Sequence, residues 1–382
     1  MRFDYYNPVK YIFGKGRVEE LPEHVSALGK KALIVTYPSK RSLALADRVC
    51  RILESKELPC VVFPGVMPNP VDSAVSEGSR LARENNCDVI VGLGGGSAMD
   101  AAKAIAAMAV NDGDVFEYIF GKPLKAALPV VTVTTTAGTG SEGNCLAVIT
   151  NSKTFDKKAL ASPLIYPKVS IVDPGLMAEL PPHVIAGPGA DALFHAIESY
   201  LSVRSNPFSE MLSLKAICLL GENLRKFYKD PKDQESRDNV ALANTMAGIA
   251  IGSCGTTIIH ALAQPLSGLL DIVHSDALAS LFAVTMEFTK PAAPEKFAVI
   301  AQAMGEDITG LSEEEAATRA IAVTEQMLLD LKVKKPLSLL GVKEEHIPWL
   351  TDKALTLMKP VLLNNPIVPE KAQAEEMYRS AL

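Results

Sequence analysis

The sequence predicts an α/β domain built on a parallel sheet over residues 1–180, followed by an all-helical domain over residues 181–382. Three observations lead there. Short β-branched runs alternate with helical patterns through the first half, as in a doubly wound sheet. Beyond Asp173-Pro174 and Pro181-Pro182 these runs disappear and long helical periods take over. The 382 residues also exceed one ordinary core, since a domain takes about 100–200 residues.

The expected strands are Ala32–Thr36, Cys60–Phe63, Asp88–Gly92, Val130–Thr134 and Val169–Val172. Each is short, apolar and β-branched, which suits a strand buried on both faces. Helical patterns such as Asp72–Glu84 and Ala98–Ala109 lie between them. Pro181-Pro182 marks the domain boundary, because consecutive prolines end one element and can open the next. In the second half, helix breaks are expected at Asn206-Pro207, Asp230-Pro231, Pro291–Pro294 and Asn364–Pro366.

Val240–Leu270 contains no Asp, Glu, Lys or Arg, a run longer than the roughly 20 residues that cross a bilayer. Its Asn244, Ser253, Thr256, Thr257, His260, Gln264 and Ser267 make it too polar for lipid. The segment reads as helices buried at the centre of a soluble domain, with no membrane partner. Hydrophobic residues make up 48% of the chain and charged ones 21%, enough apolar material for two cores. The net charge of −6 argues against nucleic acid, which needs clustered cations. Lys30-Lys31 and Lys334-Lys335 are pairs, not patches. Six scattered cysteines, none in a Cys-x-x-Cys pair, read as reduced core residues of a cytoplasmic protein. The N-terminus has no apolar stretch of signal-peptide type.

Two loops carry ligand chemistry. Asp88-Val-Ile-Val-Gly-Leu-Gly94-Gly95-Gly96-Ser97 runs from a strand straight into a helix. Glycines there let backbone N–H groups approach an anion, and the helix N-terminus adds partial positive charge. Ser97 is expected as the N-cap, with Asp100 at the third helical position completing it. A pyrophosphate is the natural guest, although glycines alone also fit a ligand-free strand–helix turn. The second loop, Thr134-Thr135-Thr136-Ala137-Gly138-Thr139-Gly140-Ser141-Glu142, follows the next strand at the sheet edge where open α/β sheets bind ligands.

The helical half holds a metal-like pattern. Asp191 and His195 are four residues apart, hence on one helix face. His260 lies in the uncharged stretch, and His274 follows in a turn before a helix expected near Asp276. Three imidazoles and a carboxylate suit Zn²⁺ or Fe²⁺. Any one of these histidines alone also fits a satisfied core residue.

From end to end the chain resembles the iron-containing (group III) alcohol dehydrogenase family. The resemblance rests on Tyr6-Asn7-Pro8, Phe13-Gly14-Lys15-Gly16, Pro68-Asn69-Pro70, Gly94-Gly95-Gly96-Ser97-Ala-Met-Asp100-Ala-Ala-Lys103 and Thr135-Thr136-Ala137-Gly138-Thr139-Gly140-Ser141-Glu142. Asp191-x-x-x-His195-Ala-x-Glu198, His260-Ala-Leu-Ala-Gln264-Pro-Leu and His274 complete it. It implies a dehydroquinate synthase-like plan: a nucleotide-binding α/β domain, a helical domain and an active site between them. It implies that Asp191, His195, His260 and His274 bind Fe²⁺ or Zn²⁺. It further implies that Gly95, Gly96, Ser97 and Asp100 serve the cofactor pyrophosphate loop, and that Asn69, Thr135, Thr136, Thr139 and Lys157 line the cofactor groove. A homodimer acting on a small alcohol or aldehyde is the implied assembly, with Gln264 and His274 beside the reacting groups.

One departure stands out. Many relatives have His-Ala-Leu-Ala-His-Pro, and here the second histidine is Gln264. Glutamine can hydrogen-bond substrate but cannot titrate near neutrality, so the proton needs another route. For the cofactor, NAD usually meets an acidic residue after the second strand. Here Tyr37-Pro38-Ser39-Lys40-Arg41 offers hydroxyl and cationic groups instead, which tilts the expectation towards NADP over NAD. Two other readings stay open at this point. A dehydroquinate synthase-like lyase would need a basic cluster near the ligands. A non-catalytic nicotinamide-binding sensor would not require a metal.

Overall fold

Leu33, Val35, Ile90 and Val130 belong to one buried cluster, and Ala32, Ile34, Val89, Val91, Val131 and Val133 to another. That period-two split puts apolar side chains on both faces of a sheet, so helices must cover both. In the computed structural model, which describes residues 2–382, a six-stranded parallel sheet meets this demand. The strands in the α/β unit are β1 (Lys10–Phe13), β2 (Ala32–Val35), β3 (Cys60–Phe63), β4 (Val89–Gly94), β5 (Val130–Thr134), β6 (Leu146–Thr150), β7 (Lys157–Ala161) and β8 (Val169–Val172). The sheet order is β1-β8-β5-β4-β2-β3, and β6 and β7 form a separate antiparallel pair. The helices are α1 (Leu21–Ser26), α2 (Lys40–Glu54), α3 (Asp72–Glu84), α4 (Gly96–Met108) and α5 (Val115–Ile119).

β4 and β5 are neighbours, with Gly94 paired to Thr134 and the Thr135 N–H donating to the Gly94 carbonyl at 3.0 Å. The glycine loop and the threonine loop therefore leave the sheet side by side, at its carboxyl edge. One expectation fails here. α4 starts at Gly96 with Gly95 as its extended N-cap, and no side chain caps it. Ser97 is thus already inside the helix. Asp100 does not complete a cap either. Its carboxylate is turned inward, accepting from the Ser141 hydroxyl at 2.5 Å and the Val148 N–H at 3.0 Å.

Asp100 shares this buried network with Lys103. The Lys103 ammonium donates to Ser141 Oγ at 2.7 Å, Asn144 Oδ1 at 3.2 Å and the Leu146 carbonyl at 2.8 Å, and lies 3.8 Å from Asp100. Burial pushes the ammonium down to about 8, against the pull of Asp100. Burial likewise raises the Asp100 carboxyl, against Lys103 and its hydrogen bonds. The network fastens α4 to the segment after the threonine loop.

The second unit comprises Glu179–Leu382, the N-terminal residues through Tyr6, and Ala137–Thr139. Its helices are α6 (Pro182–Leu201), α7 (Pro207–Lys229), α8 (Gln234–Cys254), α9 (Ile258–Leu270), α10 (His274–Thr289), α11 (Pro294–Ala303), α12 (Glu313–Asp330), α13 (Ile347–Leu355), α14 (Lys359–Leu362) and α15 (Lys371–Ser380). Asn206 caps α7 by accepting from the Phe208 and Ser209 N–H groups, with Pro207 at the first helical position. The uncharged stretch runs from Val240 through most of α8 and all of α9, which meet at 98°. Among the described residues no single helix is long and apolar enough to cross a membrane. All six cysteines are free thiols. Cys87 and Cys254 are buried, Cys50, Cys60 and Cys145 are half-buried against the core, and Cys218 is half-buried on α7.

Changing Lys103 to Met leaves the buried Asp100 carboxylate without its cation. We expect a loss of about 3–5 kcal/mol in urea unfolding, the usual cost of removing one partner of a buried pair. The double change with Asp100→Asn should recover part of it in a mutant cycle.

Candidate functional site

Asp191, His195 and Glu198 occupy successive turns of α6 and are all buried. Their spacing puts them on one face of the helix. Glu198 is the least exposed of the three, at 0%, and its carboxylate is fully engaged. Oε1 accepts from Thr257 N–H (3.1 Å), Thr257 Oγ1 (2.9 Å), Ile259 N–H (2.9 Å) and His260 N–H (3.3 Å). Three of these donors are amides at the start of α9, which have no partner within the helix and favour negative charge, and the fourth is the Thr257 hydroxyl. Oε2 accepts from His260 Nδ1. One carboxylate thus caps α9 and orients the imidazole on its first turn.

His195 is held in a parallel way. Its Nδ1 lies 3.2 Å from the carbonyl oxygen of Gly138. A carbonyl only accepts, so Nδ1 carries the hydrogen and Nε2 keeps its lone pair. A Cβ at Gly138 would lie 2.6 Å from Pro188 Cβ and 2.9 Å from Pro188 Cα, so only glycine lets this carbonyl come so near α6.

Both free Nε2 atoms face Asp191. Oδ1 of Asp191 is 3.6 Å from His195 Nε2 and 3.4 Å from His260 Nε2. The two imidazoles stack with centroids 4.6 Å apart. Asp191 Oδ1 and His260 Nε2 are buried yet make no well-formed hydrogen bond. Ligands about 2.1 Å from a tetrahedral ion lie about 3.4 Å apart, so this spacing fits a divalent cation. The donor set of imidazoles and one carboxylate suits Fe²⁺ or Zn²⁺. His274 is the first residue of α10, not part of a preceding turn, and its ring centroid is 5.2 Å from that of His260. The ligand atoms of Asp191, His195 and His260 converge within 4.8 Å of one another, and His274 stands beside them.

The electrostatics follow the geometry. Burial would raise the Asp191 carboxyl, but His195, His260 and His274 outweigh it and hold the group below the usual carboxylate range. Burial lowers His195 despite Asp191. For His260 the burial effect is overcome by Glu198 and Asp191, which lift it to about 9. Glu198 is held low against its own burial, chiefly by His260.

The α/β unit gathers several of the expected cofactor residues. The Lys157 ammonium donates to Asn69 Oδ1 at 2.8 Å, although the two are 88 residues apart. Asn69 has φ +55°, a left-handed backbone that fixes the loop before α3. A Cβ at Gly95 would lie 2.7 Å from Thr136 Oγ1 and 3.3 Å from the Tyr37 hydroxyl. That hydroxyl also accepts from the Ala98 N–H at 3.4 Å. Thr135 and Thr136 leave the end of β5, whereas Thr139 packs with the helical unit. Gly96 and Ser97 form the first turn of α4, and Asp100 lies beneath the loop, tied to protein groups.

Glu198 and Gly138 were given no role from sequence, and Tyr37 was read only as part of the hydroxyl and cationic run after the second strand. A carboxylate three residues after a ligand histidine, inside an otherwise apolar helix, was the available signal for Glu198.

The profile of the family described as "Iron-containing alcohol dehydrogenase" matches residues 8–174, and that of "Fe-containing alcohol dehydrogenase family, C-terminal" matches 185–382. The 1,3-propanediol dehydrogenase of Klebsiella pneumoniae is 38% identical over 92% of this chain and 92% of its own length. The NAD-dependent methanol dehydrogenase of Bacillus methanolicus is 36% identical over 99% of this chain and 100% of its own. An archaeal alcohol dehydrogenase from a Red Sea brine pool superposes with a TM-score of 0.96 at 35% identity, covering 100% of this chain and 99% of that one.

Glu198→Gln keeps the shape but removes the charge that fixes His260. We expect Fe²⁺ or Zn²⁺ affinity to fall about 10- to 100-fold, as such orienting groups usually show, measured by competition with a chelating dye.

Proposed function

The chain belongs to the iron-containing alcohol dehydrogenase family and is an oxidoreductase acting on CH–OH donors; from that premise we propose how its own residues carry the reaction. Asp191, His195, His260 and His274 hold one divalent ion, Fe²⁺ or Zn²⁺. Gly95, Gly96 and Ser97, with Asp100 behind them, form the pyrophosphate loop of a nicotinamide cofactor. Asn69, Lys157, Thr135, Thr136 and Thr139 line its groove. The observation that supports this reading is that His195 Nε2 and His260 Nε2 both face Asp191 Oδ1, with their Nδ1 sides fixed by Gly138 and Glu198.

When bound, the ion supplies Lewis acidity towards the substrate oxygen and the nicotinamide ring supplies the hydride acceptor or donor. The chain supplies placement. Glu198 and Gly138 prevent the two imidazoles from rotating, so the ligand atoms need no rearrangement. The buried surroundings of Asp191 and His260 exclude water and strengthen every charge interaction there. Gln264, one turn after His260, and His274 border the substrate. Gln264 holds a hydrogen bond but takes no proton, so the proton leaves through solvent. Substrates are small, uncharged alcohols and aldehydes.

NADP is the preferred cofactor in this reading. β2 is followed by Tyr37-Pro38 and then by Ser39, Lys40 and Arg41, all exposed at the start of α2 with no carboxylate among them. The Bacillus methanolicus relative is described as NAD-dependent, so this would be a difference between the two. The six free thiols suit a reducing, cytoplasmic setting. A homodimer is the proposed assembly. A dehydroquinate synthase-like lyase is not favoured, because the relatives matched over almost the whole chain are alcohol dehydrogenases.

Chelation should abolish turnover of short alcohols, and Fe²⁺ or Zn²⁺ should restore it. Full turnover in protein shown by elemental analysis to be metal-free sinks the assignment. Separately, kcat/KM should be higher with the phosphorylated cofactor by about tenfold or more, the worth of a hydrogen bond to a charged group. Equal values for the two cofactors would remove the role given to Ser39, Lys40 and Arg41.

A further inference from the structure

Cys50 and Cys60 are ten residues apart in the chain. One sits a turn before the end of α2 and the other opens β3. Their side-chain directions bring them together. Ala46, Val49, Cys50 and Leu53 form a stripe at helical spacing, and all four belong to one apolar cluster. Along β3, Cys60 and Val62 join that cluster, while Val61 and Phe63 join the cluster on the opposite face of the sheet. Both thiols therefore lie in the layer between α2 and the sheet, where they are hydrogen-bonded to each other. β3 is an edge strand and both cysteines are half-buried, so a small solute reaches them. Cys87, by contrast, is buried and packs on the other face.

The two thiols are not equivalent. The hydrogen bond from Cys60 holds the Cys50 thiol below its usual value, against burial, Glu54 and Asp47. Cys60 is pushed up, first by that same bond and then by burial and the charge of Cys50. A thiolate is the nucleophile of disulfide exchange, and a second thiol in contact with it can resolve the product. Sulfur atoms already in hydrogen-bond contact need little movement to be bridged. Neither cysteine belongs to the ion-binding or cofactor residues.

We propose that Cys50 and Cys60 are a reversible oxidation site, which closes to an intramolecular disulfide when the protein meets a low-molecular-weight disulfide such as oxidised glutathione. The Cys50 thiolate attacks one sulfur of the small disulfide and breaks its S–S bond. A mixed disulfide forms on Cys50, and one small thiolate leaves. Cys60 is then free of the anion that held its proton. It gives that proton to solvent, attacks Cys50 Sγ and expels the second small thiolate. The two departing thiolates take up the two protons lost by Cys50 and Cys60. The protein is oxidised by two electrons and the small disulfide is reduced by two. The new bond fastens the end of α2 to the edge strand, and excess thiol reverses it.

The test uses the intact chain and readouts independent of turnover. After treatment with oxidised glutathione, peptide mapping without reduction should find Cys50 joined to Cys60. The number of thiols titrated in denaturant should fall by two of the six, and dithiothreitol should restore them. In Cys60→Ser, which has no resolving thiol, glutathione should stay attached to Cys50. In Cys50→Ser, Cys60 should react about tenfold more slowly, or less, because its thiolate is disfavoured. Should a variant misfold, brief iodoacetamide labelling of the native wild type makes the same comparison, with Cys50 alkylated first. A link to any other cysteine overturns the proposal, as does glutathione on both residues with no bond between them, or no reaction at all. Alkylation of Cys60 ahead of Cys50 overturns it as well.

Discussion

The helical unit is organised around one carboxylate. Glu198 is fully buried, and such a charge is tolerable only when its oxygens are matched. The match comes from the amides at the start of α9 and from His260 Nδ1. α6 and α9 are therefore docked by an interaction that also decides which way an imidazole points. The usual distinction between scaffold and site does not apply here. The direction of His260 and the capping of α9 both descend from the same two oxygen atoms.

The α/β unit applies a similar economy with the opposite charge at its centre. Lys103 is wholly buried and bonded to Ser141, Asn144 and the Leu146 carbonyl. Asp100 shares Ser141 with it. The helix that begins at the glycine loop is thus fastened to the segment that follows the threonine loop. Because β4 and β5 are paired through Gly94 and Thr134, the two loops have both their origins and their far ends fixed. Placement in this region comes from backbone pairing and buried ions, and flexible surface side chains contribute little.

How much of this could be read from the sequence depends on the range of the interaction. The helix Asp72–Glu84 and the strands Cys60–Phe63, Val130–Thr134 and Val169–Val172 match their expected bounds, because local periodicity determines them. β1 was missed because it is an edge strand with only one side well buried. The β6 and β7 pair was missed because its partly exposed residues lack the run of buried apolar positions sought. Asp191 and His195 were legible from four-residue spacing. Ser97 and Asp100 were misread as a cap because their local pattern is a good capping pattern. Asp100 instead turns to Ser141 and Val148, over 40 residues away in the chain, and no local pattern reports that. Glu198 belongs to the same class: its partners begin at Thr257, 59 residues on.

The Gly138 carbonyl offers a last consequence, one for divergence. It holds His195 by a main-chain atom, so no side-chain chemistry at position 138 can be exchanged for another. What is constrained there is bulk, set by the backbone and ring of Pro188. Descendants of this sequence have latitude at exposed positions, where substitutions cost little. At 138 they have a single admissible letter, and a lineage that drifted from it would have to rebuild α6 around Pro188 before the imidazole could point the same way again.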